Sequence, residues 1–374
     1  MNIAILGFDS LGKNVFNVLE NKKHNIFRDY DINIKYVLTD QKNDGLNNTI
    51  FTNDYNQIIE DNDINLIIET CQSSESFNLI KKALNSSKHV ITSSYDAIAL
   101  HYVELEALAI DMHVKLLFNS TVGGSSLIIN SLLKYTTFND IYRVEAILDE
   151  NINDILTKMT NDNIEFNTEL NPDISYDLSG DTAAKQLAIL AMIAFNSTIN
   201  TDEIYRRNIE DITQDIILVA NLLGYKVKYL ASAYLSNSII NAMIEPVLVK
   251  TSDVFSCTSN NEILIKYFSK EAFEQSFVSN NSVEAKTNAI IYDLELALND
   301  YRQKFMPRNS HICNGNRHFE ARYLIKTKIM NNYFNEITEK NLDKIIITKP
   351  ILGDELAIHK NEIEFYARII DKTV

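Results

Sequence analysis

Residues 7 to 12 read Gly-Phe-Asp-Ser-Leu-Gly, directly after the apolar run Asn2-Ile3-Ala4-Ile5-Leu6. Such a turn between strand and helix suits a dinucleotide. Its first glycine permits the bend, and its last lets the helix pack close to the strand. The middle position, where glycine would let the backbone approach a diphosphate, is Asp9, which brings a side chain and a like charge. Gly7, Asp9, Leu11 and Gly12 are therefore the candidate cofactor contacts of the turn. Asp40 closes the second strand, 28 residues after Gly12, where a carboxylate can accept hydrogen bonds from ribose hydroxyls. Much later, Asp181 and Lys185 stand four apart, an acid and a base on one helix face. Their setting predicts an unbroken helix over about 182–194, with the two as an ordinary ion pair.

These residues need elements to position them. The first 130 residues alternate short apolar strands ("NIAIL", "NIKYVLT", "INLIIET", "KHVITSS", "HVKLLFNS") with amphipathic helical stretches. That alternation predicts an α/β domain with a Rossmann-type, doubly wound parallel sheet over 1–135. From Tyr142 the pattern becomes α+β. Helices are expected over 152–160, 181–196 and 211–223, and strands over 225–235, 238–250 and 262–268. This second domain should span 136–305, with the helix 282–301 returning to the first. The tail, 318–374, reads strand, helix, strand, strand.

Bulk properties narrow the class. A formal net charge of −15 disfavours nucleic acid and anionic membrane surfaces, and no apolar run reaches bilayer length. Cys71, Cys257 and Cys313 form neither a disulfide framework nor a zinc motif, and the seven histidines make no ligand pair. The first residues already form a strand and turn, so no leader peptide is expected and a cytoplasmic location is.

Five segments together resemble homoserine dehydrogenase. They are "IAILGFDSLGKNV", "KHVITSSYDAIALH" (88–101), "LLFNSTVGGSSLII" (116–129), "ILDENINDILTKM" (147–159) and "YDLSGDTAAKQLAILA" (176–191). The resemblance runs collinearly over about residues 1–300, and the tail looks like a short βαββ domain of the ACT type. It implies reversible oxidation of L-homoserine to L-aspartate 4-semialdehyde with NAD or NADP. It also implies a homodimer formed through the second domain and a small amino-acid-like ligand.

The resemblance also assigns positions. Tyr95, beside Ser94, stands where the family has a lysine near nicotinamide and substrate. Asn119 replaces a glutamate in a turn that approaches the cofactor. Main-chain carbonyls of Asn119, Val122 and Gly124 are candidate ligands for a monovalent cation. Asn171 takes the place of a substrate-binding glutamate. Anchored on "LAILA", the family's aspartate and lysine become Thr182 and Gln186, with Asp181 and Lys185 one residue earlier. Thr39 stands where members that bind NADP often carry arginine, so NAD is favoured over NADP. Two functions follow as expectations: a dehydrogenase with altered acid–base groups, or a silent homodimeric relative that binds a metabolite or partner.

Overall fold

The computed structural model describes residues 1–21, 30–40, 49–71, 73–124, 127–162, 164–166, 177–258, 262–271, 273–299, 305–309, 311–316 and 319–370. They fall into two compact units. One is Met1–Phe138 with Met192–Asn196 and Ser279–Asn309; the other is Asn139–Ala191 with Ser197–Val278 and Ser310–Val374.

The first unit is built on six strands: β1 (Asn2–Leu6), β2 (Asn33–Leu38), β3 (Ile50–Thr52), β4 (Ile64–Glu69), β5 (His89–Thr92) and β6 (Leu116–Leu117). All pair in parallel, in the order β3-β2-β1-β4-β5-β6. This is the doubly wound order whose direction reverses between β1 and β4, and ligands of such sheets bind at that reversal. Ile3 to Leu6 are buried because helices cover both faces of a parallel sheet. Those helices are α1 (Ser10–Glu20), α2 (Tyr55–Ile59), α3 (Ser76–Asn85), α4 (Tyr95–Asp111) and α5 (Ile128–Tyr135). α1 places Leu11, Val15, Phe16 and Leu19 on one face, at helical spacing.

The second unit opens with β7 (Ile141–Ile147), α6 (Glu150–Asp162) and α7 (Asp181–Phe195), the last of which passes into the first unit from Met192. There follow β8 (Tyr205–Arg206), α8 (Gln214–Leu222), β9 (Tyr225–Ser236), β10 (Ile239–Lys250), α9 (Val254–Cys257), β11 (Glu262–Ser269) and β12 (Phe273–Asn280). β9 and β10 form a long hairpin closed by Asn237 and Ser238, both at positive φ. Such a two-residue turn matches the natural twist of paired strands. β12 has no counterpart in the expected elements, since "FEQSFVSN" alternates only weakly.

α10 (Val283–Leu298) belongs to the first unit. Its Ile290, Ile291, Leu294 and Ala297 share a core with Ile3, Val15 and Phe16. The chain ends with β13 (Ile312–Cys313), β14 (Glu320–Ala321), β15 (Tyr323–Thr327), α11 (Asn332–Ile337), β16 (Thr338–Leu342), β17 (Ile345–Thr348), β18 (Ile351–Leu352), α12 (Gly353–Ile358) and β19 (Ile363–Ile369). β19 joins this tail to the central sheet, in the order β12-β11-β7-β9-β10-β19-β15-β17-β16. α12 has no counterpart in the expected tail, because six residues are too few to display a helical period. No described helix is long and apolar enough to cross a membrane.

Within one chain, β9 is buried on both faces from Val227 to Tyr234 and β10 from Ile240 to Val249. The apolar alternation of these strands therefore does not itself require a partner. The homodimer rests on the resemblance, and light scattering at micromolar concentration should give twice the 42.7 kDa chain mass. A species of 42.7 kDa alone would remove it.

Candidate functional site

In the first unit the reversal between β1 and β4 is formed by the Gly7 turn. Gly7 has φ +93°, and a Cβ there would lie 3.0 Å from Thr70 Oγ1 and 3.1 Å from Cys71 Sγ. A Cβ on Gly12 would fall 2.2 Å from the Gly7 carbonyl oxygen. Both glycines therefore fit the tight strand-to-helix turn a dinucleotide uses. Asp9 alters its electrostatics. It is the N-cap of α1, and its Oδ1 accepts the N–H groups of Leu11 (3.1 Å) and Gly12 (3.2 Å). Free N–H groups at a helix start are what a phosphate binds. Here two of them are already held by a carboxylate of the chain.

Leu11 itself is buried in the core. Asp40 is exposed just beyond the end of β2, beside Thr39, whose N–H donates to the Thr52 carbonyl oxygen. Glu69, at the end of β4, carried no signal in the sequence. It is fully buried and accepts from Cys71 N–H (2.9 Å), Ser76 Oγ (2.8 Å) and Thr92 Oγ1 (2.6 Å). Burial, reinforced by Glu69 and Asp9, pushes the Cys71 thiol up to about 12, so it is no nucleophile near neutrality.

Ser94 caps α4, its Oγ accepting Ala97 N–H at 3.2 Å, and Tyr95 opens that helix half-buried. Asn119 is fully buried and acts as a strut. Its N–H and Nδ2 donate to the two oxygens of Asp293 (2.9 and 2.5 Å), and its Oδ1 accepts Asn130 N–H (3.0 Å). Burial pushes the Asp293 carboxyl up to about 7, against the two Asn119 bonds. Val122 and Gly124 are buried in the loop that follows, and a Cβ on Gly124 would fall 2.7 Å from the Asn280 carbonyl oxygen. Among the described residues no cluster of His, Cys, Asp or Glu is placed to hold a metal.

In the second unit α7 is a continuous α-helix from Asp181, and Lys185 Nζ lies 2.5 Å from Asp181 Oδ2. Arg206 Nη2 stands 3.7 Å from Asp181 Oδ1. Gln186 is buried, and Asn171 lies outside the described residues. Asp177 positions the start of α7: its Oδ1 accepts Ser179 Oγ (2.5 Å) and its Oδ2 accepts Thr182 N–H (2.7 Å). Burial works to raise its pKa, but hydrogen bonds from Ser179, Thr182 and Asp181 hold it below the usual carboxylate range.

Two further groups join this cluster. Asp149 accepts Ile152 N–H at 2.9 Å at the start of α6. Burial, with Glu150 and Asp177 adding to it, pushes its carboxyl up to about 6 against the Ile152 and Asn151 N–H groups. A carboxyl poised there can exchange a proton near neutrality. Among the described residues the buried Tyr229 hydroxyl has no hydrogen-bond partner; it lies against Gly180, whose missing Cβ would be 2.7 Å from it. Burial raises its pKa, with Asp149 and Asp177 contributing. Asp149 and Asp177 both lie inside segments that resemble the family. Tyr229 sits in an ordinary apolar strand, and nothing in the pattern marked it.

A six-stranded parallel sheet with a glycine turn at its reversal, followed in the chain by an α+β unit carrying a half-buried mixed-charge cluster, is the architecture of the dinucleotide-binding dehydrogenases. Residues 7–119 match the family model for the homoserine dehydrogenase NAD binding domain, and residues 128–294 match that for homoserine dehydrogenase. The chain belongs to the homoserine dehydrogenase family. It is 24% identical over 319 residues to homoserine dehydrogenase of Bacillus subtilis, covering 81% of this chain and 74% of that protein. It is 28% identical over 271 residues to that of Helicobacter pylori, covering 68% and 63%. The chain thus spans under two thirds of the H. pylori relative.

Among solved structures, a homoserine dehydrogenase from Thiobacillus denitrificans superposes with TM-score 0.89 at 19% identity, covering 99% of this chain and 98% of that one. The Staphylococcus aureus homoserine dehydrogenase at pH 6.5 gives 0.81 at 23%, covering both chains fully. A hyperthermophilic archaeal homoserine dehydrogenase mutant in complex with NADPH gives 0.65 at 18%, covering 79% of this chain and 97% of that one. These structures share the fold.

Proposed function

We propose that this chain is a homoserine dehydrogenase-like oxidoreductase whose nicotinamide cofactor must displace a built-in cap, so that it binds cofactor weakly and turns over slowly. The observation that carries this reading is the Asp9 carboxylate on the Leu11 and Gly12 N–H groups. A diphosphate reaching that turn gives up two ready donors, or expels a carboxylate and then meets its charge. The two glycines still fit the group, which when bound would accept or supply a hydride. Asp40 at the ribose position and Thr39 beside it favour NAD over NADP.

The substrate is L-homoserine or its aldehyde by kinship. In the second unit, Asp149 and Asp177 suit an ammonium, Arg206 suits a carboxylate, and the Tyr229 hydroxyl is available to a substrate hydroxyl. Thr182 and Gln186, at the positions of the family's acid and base, exchange no proton near neutral pH. Calorimetric titration with NAD and NADP tests the reading. Tight binding of either, or NADP binding tighter than NAD, would count against it.

Lys185→Ala is expected to cost a few tenths of a kcal/mol, as for a helix-surface pair. It should leave any homoserine turnover intact. Loss of that turnover in the variant would make the Asp181–Lys185 pair part of the reaction. A second reading, a silent relative that binds a metabolite, is favoured by the side chains of Asn119 and Ser94, which are committed to scaffold bonds. Titration with L-homoserine, alongside a turnover assay, separates the two. The homodimer, the cytoplasmic location, a monovalent cation on the 119–124 loop and an ACT-like role for the tail belong to this proposal as well.

A further inference from the structure

α6, β9 and α9 line a cavity of about 190 Å³ in the second unit. None of its lining residues belongs to the cluster around Asp149 and Asp177. α6 contributes Thr157 and Thr160, β9 contributes Lys226 and Lys228, and α9 contributes Ser256 and Cys257. The two lysines stand two apart on a strand and so point to the same face.

Lys228 is 3% exposed and Lys226 is half-buried. Lys228 Nζ donates to the Thr258 carbonyl oxygen (2.7 Å) and to Asn153 Oδ1 (3.1 Å), but reaches Thr157 Oγ1 only at 3.4 Å. Lys226 Nζ donates to the Ser256 carbonyl oxygen at 3.3 Å. Among the described residues, every partner of the two ammonium groups is therefore a neutral oxygen, and neither makes an ion pair. The other buried basic side chains described in this unit differ: Arg143 holds Glu145, Lys266 holds Asp253 and Arg368 holds Glu245. Burial, with Lys226 adding to it, pushes the Lys228 ammonium down to about 8, against the attraction of Cys257 and Glu262. Two neighbouring cations, one stripped of water, repel each other in a chain whose net charge is −15. An anion held by both would offset the dehydration and the repulsion together.

We propose that this cavity binds a tetrahedral oxyanion, a phosphate or sulfate group, through the ammonium groups of Lys226 and Lys228. Lys226 brings N–H bonds that its single contact leaves unused, and the long Lys228–Thr157 bond is the one that turns to the ligand. Asn161, which also lines the cavity, adds an amide donor. An ammonium acts on such an ion as a point charge and needs no fixed fork geometry. The hydroxyl hydrogens of Thr157 and Thr160 already go to the Asn153 and Leu156 carbonyl oxygens (2.7 and 2.8 Å). Their oxygens can still accept a proton carried by the ligand, which favours hydrogen phosphate over sulfate.

The test is calorimetry and thermal denaturation of the full chain with sodium phosphate, sodium sulfate and sodium chloride at matched ionic strength. Saturable heat is expected for phosphate and, more weakly, for sulfate, with none for chloride. Both oxyanions also stabilise proteins by exclusion from their surface, so the melting temperature is read as native chain against variant. Lys226→Met, at a half-buried position with one long bond, should keep the fold and weaken phosphate binding at least about tenfold. Lys340→Met, on the exposed strand β16, should change nothing. Lys228→Met would strip donors from Thr258 and Asn153, so Lys228 is read in the native chain instead. Near pH 8 sulfate should draw about half a proton per site onto Lys228, seen as a dependence of the heat on the buffer's ionisation enthalpy. Glycerol 3-phosphate binding tighter than phosphate would place the group on a small ester, and equal or weaker binding would make the free ion the ligand. No saturable heat from phosphate up to about 10 mM, unchanged affinity in Lys226→Met, an equal loss in Lys340→Met, or no proton uptake with sulfate would each overturn the proposal.

Discussion

Replacing Asp9 with glycine is expected to tighten NAD binding about tenfold, with little change in melting temperature. The variant frees the Leu11 and Gly12 N–H groups for the diphosphate and removes a like charge from the helix start. Glycine is a tolerable N-cap, costing only a few tenths of a kcal/mol relative to aspartate, so the gain is not offset by unfolding. Asp9→Asn separates the two contributions, because asparagine keeps the cap bond and loses the charge. Its affinity should fall between those of the native chain and the glycine variant. Titration calorimetry with NAD reads all three proteins. Equal affinity across the series would mean that the diphosphate never reaches this turn, and the proposed weakening would fail with it.

Stability should fall as pH rises from about 4 to 7, chiefly through Asp293. Its folded pKa, about 7, lies above the ordinary 3.8. Between those values the native state keeps a proton that the unfolded chain has released, so raising the pH favours unfolding. The full effect is on the order of 4 kcal/mol, since a tenfold difference in proton affinity between the two states is worth about 1.4 kcal/mol. Above about pH 7 the contribution is flat. Asp149, pushed up to about 6, acts with the same sign over a narrower window. Lys228 acts oppositely and later. Burial and Lys226 push its ammonium down to about 8, so stability recovers between about pH 8 and 10.5 as the unfolded chain alone stays charged. Asp293→Asn should remove most of the acid-side slope. It should lose about 1 kcal/mol near pH 5, for one missing hydrogen bond to Asn119, yet melt no lower than the native chain near pH 8. Denaturant titrations at pH 5 and 8 check this. An unchanged slope in the variant would show that Asp293 is not the group responsible.

The sequence by itself determined the frame. Apolar runs such as "NIAIL" and "INLIIET", alternating with amphipathic stretches, sufficed for a parallel doubly wound sheet, because strand and helix periods are local properties of the chain. The same local logic located Asp9 in the glycine turn and the Asp181–Lys185 pair on one face of a continuous helix. Tertiary structure alone decided what the polar groups do. Asn119 is a strut only because Asp293, 174 residues away, meets it in the core. Asp149 and Asp293 have raised pKa values because burial strips water from them. Among the described residues, the buried Tyr229 hydroxyl and Arg143 Nε lack partners only once the strands around them are assembled. Periodicity reports which face of an element is apolar. Whether a buried hydroxyl or guanidinium finds a partner depends on residues far apart in the chain, and no local pattern encodes that.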